Sequence, residues 1–396
     1  MNRIIFHIDV NSAYLSWSAV EDLKSNPDHT DLRTIPSIIG GDRESRHGVV
    51  LAKSIPAKKY NIRTGEPIAQ ALRKCPNLVI APPNHALYSQ YSRKMLAILA
   101  DYTPDMEKLS IDECFLDFTS VAHQYSSPIE AATQIKDRVY RELGFTVNVG
   151  ISSNRLLAKM ASDFKKPNLV HTLFPNEIRE KMWPLPLSEL YMAGKSSVKT
   201  LNTLGIHTIG ELAQTSPDLL EAHLKSHGRL LWQYANGIDE TPVVADQTEL
   251  KGIGNSTTLS FDATERDEIT HVLLSLAEQV SKRLRAAKQL AGTICVEIKY
   301  NDFTSVSHQM QFSNSANTTE QIYKYACILL DELWNHNPVR LLGIRTTKLT
   351  HEDEPVQLSL FDTVVDEKQL KAEKAMDAIK SRFGTDAVVR GSFLKK

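Results

Sequence analysis

The chain has 396 residues, of which 42% are hydrophobic and 23% charged, and its formal net charge is −1. That composition fits a globular protein of about two to four domains and excludes a disordered chain. No apolar run is long enough to span a bilayer. The opening residues reach Asp9 too soon for a signal peptide, and Cys75, Cys114, Cys295 and Cys327 are scattered without a C-x-x-C pair. Reduced thiols and a cytoplasmic location are therefore expected.

In chain order, Ile4, Phe6 and Ile8 mark a short buried strand that ends at Asp9. Residues 38 to 75 are turn-rich and basic, with Arg43, Arg46, Lys53, Lys58, Lys59, Arg63, Arg73 and Lys74 against only Glu44 and Glu66. Tyr88, Tyr91, Met95, Ile98 and Leu99 have helical spacing over 88–101. Two short strands, Met106 to Ser110 and Cys114 to Phe118, bracket Ile111-Asp112-Glu113 at or near their turn. A helix over 128–143 and a strand over 146–151 complete a mixed α/β unit. A second basic group follows at Arg155, Lys159, Lys165 and Lys166.

From 184 to 240 the pattern is helical. Val198, Leu201 and Leu204 line one face, Leu204-Gly205-Ile206 turns, and Ile209 and Leu212 begin the next helix. Such a helix-hairpin-helix holds a DNA phosphate on backbone amides, whereas a plain helical hairpin does not. At Met192-Ala193-Gly194 a first hairpin glycine is missing. Residues 241–252 lack periodicity and read as a linker. Beyond it the order is strand 254–262, helix 267–287, strand 292–300, strand 304–312, helix 318–335 and strand 339–349, a split β-α-β-β-α-β domain. It carries a third basic group, Lys282, Arg283, Arg285 and Lys288. Three basic groups on a nearly neutral chain point to a localised polyanion track. The tail from 350 holds the apolar peptide Gln357-Leu358-Ser359-Leu360-Phe361 and then a helix opened by Asp366 and closed by Gly384.

Adjacent carboxylates on a straight strand point to opposite faces, but at a hairpin turn Asp112 and Glu113 can converge. Asp9, at the end of a neighbouring strand, supplies a third oxygen ligand. Three such acids repel one another unless cations neutralise them, so two Mg²⁺ ions are the natural occupants. A two-metal site of this kind performs phosphoryl transfer. A solvated turn explains most Asp-Glu pairs equally well.

Phe6-His7-Ile8-Asp9-Val10-Asn11-Ser12-Ala13-Tyr14, Ser110-Ile111-Asp112-Glu113, the run Gly150 to Lys159, and Lys166-Pro167-Asn168 together resemble the ordered motifs of Y-family translesion DNA polymerases of the DNA polymerase IV type. The resemblance runs to about residue 349. It implies an α+β, multidomain right hand: a ferredoxin-like palm at 1–12 and 76–166, small fingers at 13–75, a helix-hairpin-helix thumb at 167–240, a linker at 241–252, a little finger at 253–349, and a tail at 350–396.

The same resemblance implies that Asp9, Asp112 and Glu113 are catalytic metal ligands, joined by the backbone carbonyl of Val10. Tyr14 becomes the steric gate beneath the sugar, against the plainer reading of a core aromatic. Lys166 faces the triphosphate, and Ile55 and Lys58 hold two fingers positions beside the incoming nucleotide. The chain departs from the pattern at Asn11, where an acid is usual, and at Ile55 and Lys58, where Tyr and Arg are usual; a lysine lacks the bidentate fork. The peptide Gln357 to Phe361 resembles a sliding-clamp docking motif, with Gln357, Leu358, Leu360 and Phe361 as contacts, although a strand folded back on the body would also explain it.

The expected activity is error-prone, template-dependent DNA synthesis without proofreading. Primer-template DNA, deoxynucleoside triphosphates and the clamp are the expected partners, with no membrane and a monomeric state. A clamp-tethered DNA-binding protein with decayed activity is the alternative, and a nucleotidyl cyclase leaves the helical hairpin and the tail peptide unexplained.

Overall fold

The computed structural model describes residues 3–41, 48–244, 250–354, 367–384, 387–389 and 391. They fall into two units, one from residues 3–41 and 49–244 and the other from residue 48 and the residues from 250 onward.

In the first unit, β1 (Ile5–Val10) is buried along its length except at Asp9, and α1 (Ala13–Ser25) follows. A small lobe comes next: β2 (Ser37–Gly40), β3 (Val50–Lys53), α2 (Ile55–Lys58), α3 (Ile68–Lys74) and β4 (Val79–Ala81), with strand order β3-β2-β4. Its sheet thus extends past residue 75, and α1 is shared. Ala13, Trp17 and Val20 of α1 join the core of the larger sheet, while Leu15 packs with Ile39 and Ala52 of the lobe.

The chain then builds α4 (His85–Ala100), β5 (Met106–Lys108), β6 (Glu113–Asp117), α5 (Pro128–Leu143), β7 (Val147–Ser152), α6 (Arg155–Asp163) and β8 (Val170–Thr172). The larger sheet runs β5-β6-β1-β7-β8, antiparallel except for the β7–β8 pair. Helix α5 shows how local chemistry sets the limits. The Ser127 hydroxyl accepts from the Glu130 amide, Pro128 fills the first turn, and Gly144 ends the helix at φ 79°. Gly150 is required for a different reason. A Cβ there would lie 1.9 Å from the Ala158 carbonyl oxygen, so only glycine lets α6 lie on β7.

A helical segment completes the unit with α7 (Ile178–Lys181), α8 (Lys195–Thr203), α9 (Ile209–Gln214), α10 (Pro217–Leu224) and α11 (Ser226–Ala235). Leu201, Ile206, Ile209 and Leu212 form its core together with Leu157 and Met160 of α6. The first residues of the expected linker are not loose. The Arg155 guanidinium donates to the Pro242 carbonyl at 3.1 Å, and the Val244 amide donates to Glu107 at 3.0 Å.

The second unit contains β9 (Gly252–Ala263), α12 (Arg266–Ala286), β10 (Gln289–Tyr300), β11 (Ser305–Ala316), α13 (Thr319–Leu333), β12 (Val339–His351) and α14 (Glu367–Phe383). Its antiparallel sheet runs β11-β10-β12-β9, so β12 separates β9 from β10 in the split arrangement expected from the element order. Alternation along β10 buries Ile294, Val296 and Ile298 against Leu273, Leu276, Val280 and Leu284 of α12. Helix α14 is tied to this unit through Glu373. Its carboxylate pairs with the buried Arg285 of α12 and accepts from the Thr319 amide at the start of α13 at 3.0 Å. The peptide Gln357, Leu358, Leu360 and Phe361 lies outside the described residues.

Candidate active site

β1 pairs with β6 in a register that sets Asp9 opposite Glu113, and the Val10 amide donates to the Asp112 carbonyl at 3.1 Å. Strand pairing, not the turn alone, therefore gathers the acids: Glu113 is the first residue of β6, and Asp112 just precedes it. A pocket of about 470 Å³ opens there, lined by Asp9, Val10, Tyr14, Asp112 and Lys166 on one side and by Leu51, Lys53, Lys58 and Thr64 of the small lobe on the other. Ile55 stands outside that lining and is exposed on α2. Tyr14, in the first turn of α1, stacks on Tyr88 with ring centres 4.3 Å apart and takes His85 edge-on at 5.9 Å. It is thus a braced wall of the pocket and not a closed core residue. Burial, then Asp112, raises its hydroxyl above the ordinary value.

Each acid is already engaged. Lys166 donates to Asp9 at 2.8 Å and also meets Asp163 at 2.8 Å. The buried Lys159 donates to Glu113 at 2.6 Å, and the Ser110 hydroxyl donates to Asp112 at 2.6 Å. Burial pushes the Asp9 carboxyl up to about 7; Lys166 works against this, and Asp163 and Glu113 add to it. Although burial opposes it, Asp9 and Asp163 hold the Lys166 ammonium above its ordinary value. Among the described residues no three His, Cys, Asp or Glu side chains are grouped closely enough to hold a metal as they stand. In kind, however, the set suits a hard divalent cation: all donors are oxygens, at or beside the paired ends of β1 and β6.

Asn11 explains its own departure from an acid. Its amide nitrogen donates to Asn148 Oδ1 at 3.1 Å, while its oxygen accepts from the Asn168 amide at 2.9 Å and the Thr146 hydroxyl at 2.9 Å. Asn148 in turn donates to the Lys165 carbonyl at 2.7 Å and the Ser162 carbonyl at 3.1 Å. This buried amide pair fixes the turn that carries Lys166, and a carboxylate at position 11 has no proton to give Asn148. Sequence reasoning passed over Asn148; alternation puts it on the face of β7 opposite Val147, Val149 and Ile151, and it is buried there because α6 packs on that face.

Several members of the basic groups are bound to acids within their own units. Arg155 is committed to Glu107 at 2.7 Å, Lys159 and Lys166 to the acids above, Lys74 to Glu66 at 2.6 Å, and Arg285 to Glu373 and Asp377. Arg43 and Arg46 lie outside the described residues. The hairpin also differs from expectation. The amides of Leu204, Gly205 and Ile206 are spent on Leu201 and Asn202 carbonyls, and those of His207 and Thr208 on Glu211. Beside this hairpin, the amides of Lys195, Ser196 and Ser197, at the uncapped start of α8 just after Met192-Ala193-Gly194, have no acceptor within the helix. The anion-ready turn is therefore the earlier one, where the glycine pattern is incomplete.

A solved Y-family DNA polymerase chimera superposes with a TM-score of 0.75 over 88% of this chain and 99% of its own, at 23% identity. The fold is that of a Y-family DNA polymerase. Models of the impB/mucB/samB family match residues 8–163, and of its C-terminal domain residues 250–360. DNA polymerase IV of Clostridium acetobutylicum is 47% identical across 100% of this chain and 99% of its own length. DNA polymerase IV 1 of Bacillus subtilis is 37% identical across 100% of this chain and 94% of its own. The chain belongs to the DNA polymerase IV group of the Y family.

Proposed function

We propose that this Y-family chain is a translesion DNA polymerase that adds deoxynucleotides to a primer opposite damaged as well as intact template. The observation that carries the site assignment is one pocket with Asp9, Asp112 and Tyr14 on its sheet side and lysines on its lobe side, and with Glu113 in register with Asp9. In the reaction the primer 3′-hydroxyl gives up its proton to solvent, its oxygen bonds to the nucleotide's α-phosphorus as the bond to the bridging oxygen breaks, and pyrophosphate leaves. Asp9, Asp112, Glu113 and the Val10 carbonyl would hold two Mg²⁺ ions. Bound there, such ions would supply positive charge to the attacking and leaving oxygens. Tyr14 blocks a ribose 2′-hydroxyl, with Tyr88 behind it so that the ring cannot yield. Lys58 and Lys166 face the triphosphate, and Ile55 adds no polar contact.

The sheet of acids is the palm, the small lobe the fingers, the helical segment the thumb, and the second unit the little finger. The free amides at the start of α8 suit a backbone phosphate of the DNA. Gln357, Leu358, Leu360 and Phe361 dock on a sliding clamp, and the enzyme works as a cytoplasmic monomer; no helix among the described residues is long and apolar enough to cross a membrane. Nothing observed favours a decayed polymerase, and the sequence keeps Asp9, Asp112 and Glu113.

Metal removal tests this reading. Purified protein should extend a primer with Mg²⁺, stop when a chelator is added, and resume when Mg²⁺ is restored. Extension that continues in excess chelator would overturn the metal assignment.

A further inference from the structure

Lys53 ends β3, two residues beyond Leu51 and on the same face of the strand, and both line the pocket that holds Asp9, Asp112 and Tyr14. Its ammonium donates to the Ile62 carbonyl oxygen at 2.7 Å, which pins it to the pocket wall and leaves further N–H donors. Burial, followed by the like charge of Lys58, lowers its pKa, and Arg63 and Lys74 act in the same direction; only Glu66 acts against them. Glu66 is itself bound by Lys74 at 2.6 Å. Across the pocket Lys166 is shared between Asp9 and Asp163, and among the described residues no carboxylate pairs with Lys58. The lobe side of the pocket thus concentrates positive charge that the protein does not neutralise, the condition that favours a bound polyanion.

We propose that Lys53 is a ligand of the incoming nucleotide's triphosphate, filling the role left by Ile55 and only partly met by Lys58; this rests on the polymerase reading above. Ile55 has no donor and lies off the pocket, and Lys58 offers a point charge where a fork would grip two oxygens. Lys53 brings a second ammonium to the same wall from the strand beneath, already oriented by Ile62. Two separated ammoniums can span neighbouring phosphates.

Lys53→Gln tests this, because the amide keeps an N–H for Ile62 and removes the charge. In single-nucleotide incorporation on a fixed primer-template, this variant should raise KM for the nucleotide roughly tenfold or more, with a smaller loss in kcat. Lys53→Arg should recover most of the affinity. Inorganic tripolyphosphate should raise the melting temperature of the wild type more than that of Lys53→Gln, a readout independent of catalysis. An unchanged KM, or equal tripolyphosphate stabilisation of the two proteins, would overturn the assignment and leave Lys53 as a clip for the loop at Ile62. A wild type that extends no primer yet is stabilised more than Lys53→Gln would overturn the polymerase reading and leave Lys53 as a phosphate ligand.

Discussion

Asp9, Tyr14, Asp112, Glu113 and Lys166 stand out in the sequence as single residues because each belongs to a short motif. Asp9, Val10, Tyr14, Asp112, Lys58 and Lys166 meet in one pocket, and Glu113 reaches it through strand register. What the sequence could not show was partnership. Lys53 was one of eight basic residues in its run, and only its position on β3 separates it from the others. Asn11 looked like a lost acid until Asn148 supplied the reason. That pairing has a direct consequence: Asn11→Asp, although it restores the residue usual in the family, should be harmful here. It removes a buried donor and adds a charge beside Asp9, so roughly 1–3 kcal/mol of stability should be lost, read by urea denaturation. KM for nucleotide should rise with it as Lys166 loses its support; equal stability and KM would show that the amide pair does not hold the turn. Tyr14→Ala should raise ribonucleotide incorporation relative to deoxyribonucleotide by at least roughly tenfold, since the exclusion is steric. A ratio that stays put would make the ring a structural support for Tyr88.

Elements were more legible than partners wherever caps and alternation agreed. Helix α5 starts and stops where Ser127, Pro128 and Gly144 say it should, and all six elements from β9 to β12 follow the hydrophobic pattern. The misleading signals came from charge. Arg285 reads as part of a basic surface, yet its side chain is only 6% exposed and is closed by Glu373 and Asp377 of α14. No local pattern announces this, because Arg285 and Glu373 are brought together only when α14 returns to the sheet's helical layer. Arg285→Met should therefore destabilise the protein by about 3–5 kcal/mol, since it leaves Glu373 buried without its cation. Arg266→Met, which removes an exposed pair with Asp331, should cost no more than about 1 kcal/mol. Equal costs for the two in chemical denaturation would show that α14 adds nothing to the second unit. The helical hairpin teaches the same lesson: glycine placement pointed to residues 204–206, but the hydrogen bonds leave the free amides at the start of α8.

For the whole molecule, family membership and fold agree along the chain, with the two matched regions falling in the two units. The family resemblance implied a palm interrupted by fingers and followed by a helical thumb, and a sheet strand, a small lobe, the rest of the sheet and a helical segment follow in that order along the chain. How that sheet gathers its acids depends on the β1–β6 register, which no single segment encodes. Everything proposed for catalysis depends on that gathering. The most direct test is primer extension by Asp112→Asn, measured beside its affinity for primer-template DNA. Loss of one anionic ligand should remove several kcal/mol of transition-state stabilisation, so extension should fall roughly a thousandfold or more while DNA affinity stays near that of the wild type. Near-normal extension by Asp112→Asn would contradict the site, whatever the fold.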